Sequence, residues 1–330
     1  MLPDGRRLGA HLPLATGMVK AVERAHDIGA DTIQIFIDNP TAWRRRAMPP
    51  RELGAFRCRA AAYDLAPIAV HGSYLINLAG PDPAFFDASI ELVADELHKA
   101  PSFGGRYVNI HIGSHRGAGV AAGVARLADG IREALARVDD RPDADPDDTT
   151  GATGPPRAAM LVLENSAGSG DGLGTSIDEL SAIADALDAR GVDRMSVGFS
   201  LDTAHAWGAG IDIGDPDAID AALEAFDSRI GLDRLVMVHL NDSRSELGSR
   251  LDRHEHIGGG QIGTAGLAHV LRHPLLARAT YYLETPGMDR GYDAINLARA
   301  RALAAGEVLE PLPPEAFDLP GSASTRTGPP

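Results

Sequence analysis

The chain has 330 residues, 44% of them hydrophobic and 23% charged, which is the composition of a folded globular protein and excludes a disordered or fibrous one. Its formal net charge of -15 disfavours indiscriminate binding to polyanions, and its single cysteine, Cys58, excludes an intrachain disulfide and any thiolate-rich metal site. No run approaches the ~18 apolar residues of a membrane span and no apolar signal core follows residues 1–7, so a cytoplasmic chain without membrane association is expected.

Eight short runs rich in Val, Ile, Leu or Met read as strands. The first covers residues 7–11 and ends on His11; the second, 32–37, is followed by Trp43-Arg44-Arg45-Arg46. The third, 67–71, ends on His71, with Tyr74 and Leu75 just beyond it, and the fourth, 106–111, ends on His111. An insertion rich in Asp, Pro, Gly and Thr then spans 139–157, with six aspartates against one arginine between positions 139 and 148. The fifth run, 160–164, ends on Glu164. Residues 176–190 carry the clearest helix signal: a capping box of Ser176 and Glu179, apolar Ile177, Leu180, Ile183 and Leu187, and a stop at Gly191. The sixth run, 196–202, ends on Asp202, with His205 three residues on. The seventh, 235–239, ends on His239, with Asp252 and His254 in the following loop, and the eighth, 280–284, ends on Glu284. From residue 319 the composition is that of a disordered tail.

Eight strands alternating with helical segments predict an α/β fold, and eight is the number that closes a (β/α)8 TIM barrel, a single domain over residues 1–318. An open doubly wound sheet is the rival. It would carry a glycine-rich phosphate turn after the first strand, which Gly9-Ala10-His11-Leu12 lacks, and would concentrate its site at one switch point. Here polar residues end strands around the whole set, and in a barrel those ends share one mouth.

That mouth would collect His71, His111, Glu164, Asp202, His239 and Glu284 from strand ends, with His205, Asp252 and His254 just beyond. A single His or Asp at a strand end is more often a hydrogen-bonded structural residue. Five imidazoles with four carboxylates are another matter, because the carboxylates would repel one another unless cations lay between them. These are the donors that zinc accepts when cysteine is absent.

The segments His71-Gly72-Ser73-Tyr74-Leu75-Ile76-Asn77-Leu78, His111-Ile112-Gly113-Ser114-His115, Leu163-Glu164-Asn165-Ser166-Ala167-Gly168 and Leu201-Asp202-Thr203-Ala204-His205-Ala206 resemble, in order, signatures of the endonuclease IV family. So do His239-Leu240-Asn241-Asp242-Ser243, Gly248-Ser249-Arg250, Asp252-Arg253-His254-Glu255-His256-Ile257-Gly258 and Leu283-Glu284-Thr285-Pro286. The likeness runs from Gly9 to Pro286 and leaves out the insertion and the tail. It implies a TIM barrel holding three zinc ions, with manganese as a substitute. His71, His111 and Glu164 would hold the first ion; Glu164 would bridge to a second completed by Asp202, His239 and Glu284; His205, Asp252 and His254 would hold the third.

The implied reaction is hydrolysis of the phosphodiester 5′ to an abasic deoxyribose, leaving a 3′-hydroxyl and a 5′ sugar phosphate, together with removal of 3′-blocking groups. Clustered cations would activate water, neutralise the phosphodiester and stabilise the leaving 3′ oxygen. Glu164 and Glu284 would be the catalytic carboxylates, Glu284 also orienting the attacking hydroxide. The expected partner is double-stranded DNA with abasic sites or 3′-blocked ends, met by a monomeric chain. Tyr74 and Leu75 match family positions that enter the base stack, Trp43, Arg44 and the arginines after it could contact phosphates, and Arg253 lies within the last loop motif. Two departures stand near these groups: Thr41 replaces an arginine usual in the family, and Gly72 stands where a polar or acidic residue is frequent. The alternative is a metal-dependent sugar isomerase or epimerase of the related barrels, which would need neither the third ligand set nor the Tyr74-Leu75 pair.

Overall fold

The structure, a computed structural model, describes residues 1–46, 50–139 and 159–319. The strands are β1 (Leu8–His11), β2 (Ile33–Ile35), β3 (Ile68–His71), β4 (Gly105–His111), β5 (Met160–Glu164), β6 (Val197–Asp202), β7 (Leu235–His239), the short pair β8 (Asp242–Ser243) and β9 (His254–Glu255), and β10 (Thr280–Leu283). The helices are α1 (Met18–Asp27), α2 (Leu53–Ala62), α3 (Pro83–Lys99), α4 (Val120–Asp139), α5 (Ile177–Asp188), α6 (Thr203–Ala209), α7 (Pro216–Arg229), α8 (Gly263–Arg272) and α9 (Tyr292–Ala305). Strands β1 to β7 and β10 form a closed parallel barrel, β1 pairing with both β2 and β10. The expected TIM barrel is therefore the observed fold, each strand lying within two residues of its sequence-based bounds. Among the described residues no helix is long and apolar enough to cross a membrane.

Apolar side chains form two clusters, divided by the two-residue period of the strands. The larger lies between strands and helices and includes Ile33, Ile35, Val70, Leu161, Leu163, Val238 and Leu283. The smaller holds Ala69, Met160, Val162, Met237 and Tyr282, the inward residues of alternate registers. One step further along the same parity come His71, Glu164, His239 and Glu284. Strand alternation alone therefore stacks these four polar groups on the barrel's apolar floor.

Helix α5 begins at the expected cap: Ser176 Oγ accepts from Glu179 N at 3.3 Å. Glu179 does not return the bond to Ser176. Its carboxylate instead accepts from Gly174 N, Thr175 N and Thr175 Oγ1, holding the loop ahead of the helix. The insertion expected at 139–157 lies outside the described residues apart from Asp139, the last residue of α4. Of the expected tail, Leu319 is buried, at 5% exposure, and 320–330 lie outside the described residues.

Candidate metal centre

Strand register delivers the ligand candidates in adjacent pairs: His111 lies beside Glu164 across β4 and β5, and Asp202 beside His239 across β6 and β7. Their side chains come together in three overlapping groups. Donor atoms of His71, His111 and Glu164 lie within 4.8 Å of one another, as do those of Glu164, Asp202, His239 and Glu284, and those of Asp202, His205 and His254. Asp252 joins the last group, its two oxygens each 3.2 Å from a ring nitrogen, one of His205 and one of His254. All nine candidates converge on one mouth. Glu164, Asp202 and His239 are fully buried, whereas His111 and Asp252 face outward with side chains 42% and 47% exposed.

The third group is reached by two local devices. Asp202 is the N-cap of α6: its Oδ1 accepts from His205 N at 2.8 Å, so the Asp-x-x-His spacing is one capped helical turn. Asp252 and His254 ride on the hairpin in which Asp242 and Ser243 pair antiparallel with Glu255 and His254. Buried Asp242 is no ligand. Its carboxylate accepts from the N–H groups of Ser243, Gly260, Ile262 and Gly263 and so fixes the loop. A Cβ at Gly260 would lie 2.4 Å from Ser243 O and 2.6 Å from Asp242 Oδ1, so only glycine fits there.

Neighbouring groups commit one nitrogen of four imidazoles and leave the other for the centre. His71 Nδ1 donates to Gly72 O at 2.8 Å, His205 Nδ1 to Asn165 O at 2.9 Å and His254 Nδ1 to Glu284 O at 2.9 Å. His239 is reversed: Nε2 donates to Gln34 Oε1 at 3.0 Å, which turns Nδ1 toward the carboxylates. The carboxylates are held too. Asn109 donates to Glu164 Oε2 at 2.5 Å, Asn241 to Asp202 Oδ2 at 2.8 Å, and Gln34 to Glu284 Oε1 at 2.6 Å, with His11 Nδ1 3.0 Å from the same oxygen. Sequence reasoning missed Gln34, Asn109, Asn165 and Asn241. The available signal was an amide on an inward position of an apolar strand or at its end, which burial obliges to find a partner.

The electrostatics are those of mutually compensating charges. Burial would lower His239, but Glu284, Glu164 and Asp202 overrule it and raise the imidazole to about 9. Burial likewise opposes His254, which Asp202, Asp252 and Glu284 raise to about 10. Conversely, burial would raise Glu164 and Glu284, and the surrounding imidazoles hold both well below the usual carboxylate range. His71 goes the other way, since burial dominates and brings it down to about 4. His254 Nε2 is buried with no aligned hydrogen-bond partner, although it lies 3.5 Å from Asp202 Oδ2 and 3.2 Å from Asp252 Oδ1. A buried ring nitrogen aimed at two carboxylates without a hydrogen bond fits a coordinated cation, as does a donor set made only of imidazole and carboxylate.

The rim is less uniform. Tyr74 is 56% exposed and lies edge-on to Phe36, with ring centroids 5.3 Å apart, while burial pushes its hydroxyl up to about 12. Leu75, expected beside it in the base stack, is half-buried against the core. Trp43, Arg44 and Arg253 are exposed. Arg45 departs from the expected phosphate-contacting run: it turns inward to Glu96 at 2.5 Å. Thr41 closes a turn on Asn39, its N and Oγ1 both donating to Asn39 Oδ1.

A further grouping, Asp220 with His269 and His273, bridges α7 and α8. His273 Nδ1 accepts from Leu275 N at 3.2 Å, so its proton sits on Nε2, which donates to Asp220 Oδ1 at 3.0 Å beside His269 Nε2 at 2.5 Å. An ion would need that Nε2 lone pair and would forfeit the Leu275 bond. The trio is a hydrogen-bonded clip between helices.

Comparison with known proteins places the chain among these barrels. The sequence profile of the xylose isomerase-like TIM barrel family matches residues 22–310. A "Probable endonuclease 4" of Methanoculleus marisnigri is 40% identical over 297 residues, which are 90% of this chain and 98% of that protein. The crystal structure of endonuclease IV from Thermus thermophilus superposes with a TM-score of 0.75 at 35% identity, covering 91% of this chain and 99% of that one. A D-tagatose 3-epimerase-like protein superposes with a TM-score of 0.63 at 17% identity over 91% of this chain and 97% of its own, a likeness of fold alone.

Proposed function

Because the chain belongs to the endonuclease IV family of xylose isomerase-like TIM barrels, we propose that it is a DNA-repair endonuclease that hydrolyses the phosphodiester 5′ to abasic sites. The observation that carries this reading is the third ligand group, His205, Asp252 and His254, beside the two that a sugar-converting barrel would need. A small-sugar pocket has no use for it, nor for an exposed Tyr74 at the rim.

In this reading the three groups hold three zinc ions, which when bound supply the positive charge that neutralises a phosphodiester and lowers the pKa of water. The chain's own residues do the rest. Gln34, Asn109 and Asn241 keep Glu284, Glu164 and Asp202 in place, so that the centre needs little reorganisation during reaction. Glu284, with Oε1 tied to His11 and Gln34, keeps Oε2 toward the centre, and we assign it to orienting the attacking water. Water oxygen adds to phosphorus, the bond to the 3′ oxygen breaks, and that oxygen takes the proton. Tyr74 enters the gap left by the missing base, where unstacking is already complete, and Arg44, Trp43 and Arg253 meet the backbone around it. The same centre would remove 3′-blocking groups.

The test is an end-labelled duplex bearing one abasic analogue that resists β-elimination, with bound metal measured in the same sample. A single cut leaving a 3′-hydroxyl is expected with about three ions bound. An uncut duplex at that loading overturns the reading.

A further inference from the structure

The loop after β2 and the loop after β3 both meet one buried carboxylate. Glu96 stands on α3 with its side chain 3% exposed. Its Oε1 accepts from Arg45, in the first loop, at 2.5 Å and from Ser73 N, in the second, at 3.2 Å. The same two loops are stitched again at Pro40, whose carbonyl accepts from Ser73 Oγ at 2.7 Å and from Tyr74 N at 3.0 Å. One turn along α3, Lys99 Nζ donates to Arg46 O at 2.9 Å, and at the helix start Phe85 meets the Trp43 ring at 5.7 Å between centroids.

This pair is poorly built as a source of stability. Arg45 Nε and Glu96 Oε2 are both buried without a hydrogen-bond partner. Burial drives the Glu96 carboxyl up to about 7 against the pull of Arg45 and the Ser73 N–H. Incompletely satisfied buried ion pairs are generally no more stable than apolar residues of the same volume, so another role has to be sought for this one. The space around it is tight. A Cβ at Gly72 would lie 2.6 Å from Ile110 Cγ2, 3.0 Å from Glu96 Oε2 and 3.2 Å from Asn109 O, so the backbone between His71 and Ser73 packs bare against both β4 and the carboxylate.

We propose that Arg45 and Glu96 are positioning residues for lesion recognition: one carboxylate ties the Trp43-Arg44 loop to the Tyr74 loop and fixes their relative placement, on which entry of both into a duplex opened at a missing base depends. The inference rests on the endonuclease reading of the centre. Neither residue touches DNA or the ligands. Arg45 is spent inside the protein, which leaves Arg44 and Arg46 as the exposed cations of the run.

The decisive variant is Arg45→Met with Glu96→Leu, which keeps volume and removes both charges. The clamp predicts KM for the abasic duplex raised about tenfold, kcat within about twofold, and thermal stability unchanged or higher. It also predicts a direct readout. The chain has two tryptophans; Trp207 is buried and Trp43 is 39% exposed, so acrylamide quenching of the accessible emission reports the loop and should increase in the variant. Should the double variant not fold, Glu96→Gln, which still accepts from Ser73 N, is expected to raise KM about threefold with the same kcat. Unchanged KM and unchanged quenching in the variant, beside a wild type that cuts normally, overturn the clamp alone. Lost thermal stability with KM unchanged also overturns it, as the mark of a purely structural pair. A wild type that leaves the duplex uncut overturns the endonuclease reading and the lesion-recognition role with it, and the quenching result then decides only whether the pair ties the two loops.

Discussion

The floor of the mouth and its rim are built by different means. On the floor, His71, Glu164, His239 and Glu284 are placed by strand parity and register, and each is held a second time by a neighbouring amide, carbonyl or imidazole. On the rim, Trp43, Arg44 and Tyr74 ride on loops whose positions depend on a few side-chain ties to α3 and to Pro40. The floor is therefore rigid by topology and the rim by tethers. Substitutions on the floor should act on metal content and kcat, and those on the rim on KM.

The sharpest way to break that division is Glu164→Ala. Losing the carboxylate shared by two ligand groups should lower cleavage of the abasic duplex by about a thousandfold or more and reduce bound metal in the same preparation. Normal metal content with normal cleavage would mean that the floor is misassigned. Next comes Asn241→Ala, which leaves Asp202 Oδ2 and the Glu284 backbone N–H without their partner while touching no ligand position itself. A loss of about 10- to 100-fold in metal affinity, read by competition with a chelator, is expected. Were kcat and affinity unmoved, the amide shell would be decoration.

Tyr74→Ala should sharpen the comparison from the other side. With the ring gone, KM for the abasic duplex should rise about fivefold to tenfold while metal content stays at the wild-type level. A loss of metal instead would make Tyr74 part of the floor. The smallest effect is expected outside both regions. Asp220→Asn should shift the melting temperature by no more than about 3 °C, and neither zinc stoichiometry nor cleavage should change, because that trio is a clip and binds no ion.

The same division decides how much could be read from the chain alone. His71, Glu164, His239 and Glu284 end apolar runs, and an ionisable group there is conspicuous because a parallel barrel sends every strand end to one place. Asp252 and His254 were harder. They depend on a hairpin of two-residue strands too short to show periodicity, so they stood out only as a His and an Asp in the loop after the seventh run, a weak signal that the motif resemblance strengthened. The amides Gln34 and Asn109 are visible as polar residues at inward strand positions, but which ligand each holds follows from closing the barrel. Arg45 could not be read at all. In Trp43-Arg44-Arg45-Arg46 the three arginines look alike, and what turns the middle one inward is a glutamate 51 positions away on another element. Gly72 is no local trace of that contact by itself, since Ile110 on β4 demands the same bare backbone.

Asp202 has a further consequence. One of its oxygens starts α6 and the other is held by Asn241, so the strand end and the helix start are a single rigid joint. Its distance to His205 is set by backbone winding, which makes the joint a ruler marked in residues. One residue inserted between them would swing His205 by about 100° around the helix axis. At this joint the chain can be neither stretched nor shortened without moving the third ligand group out of reach of the second.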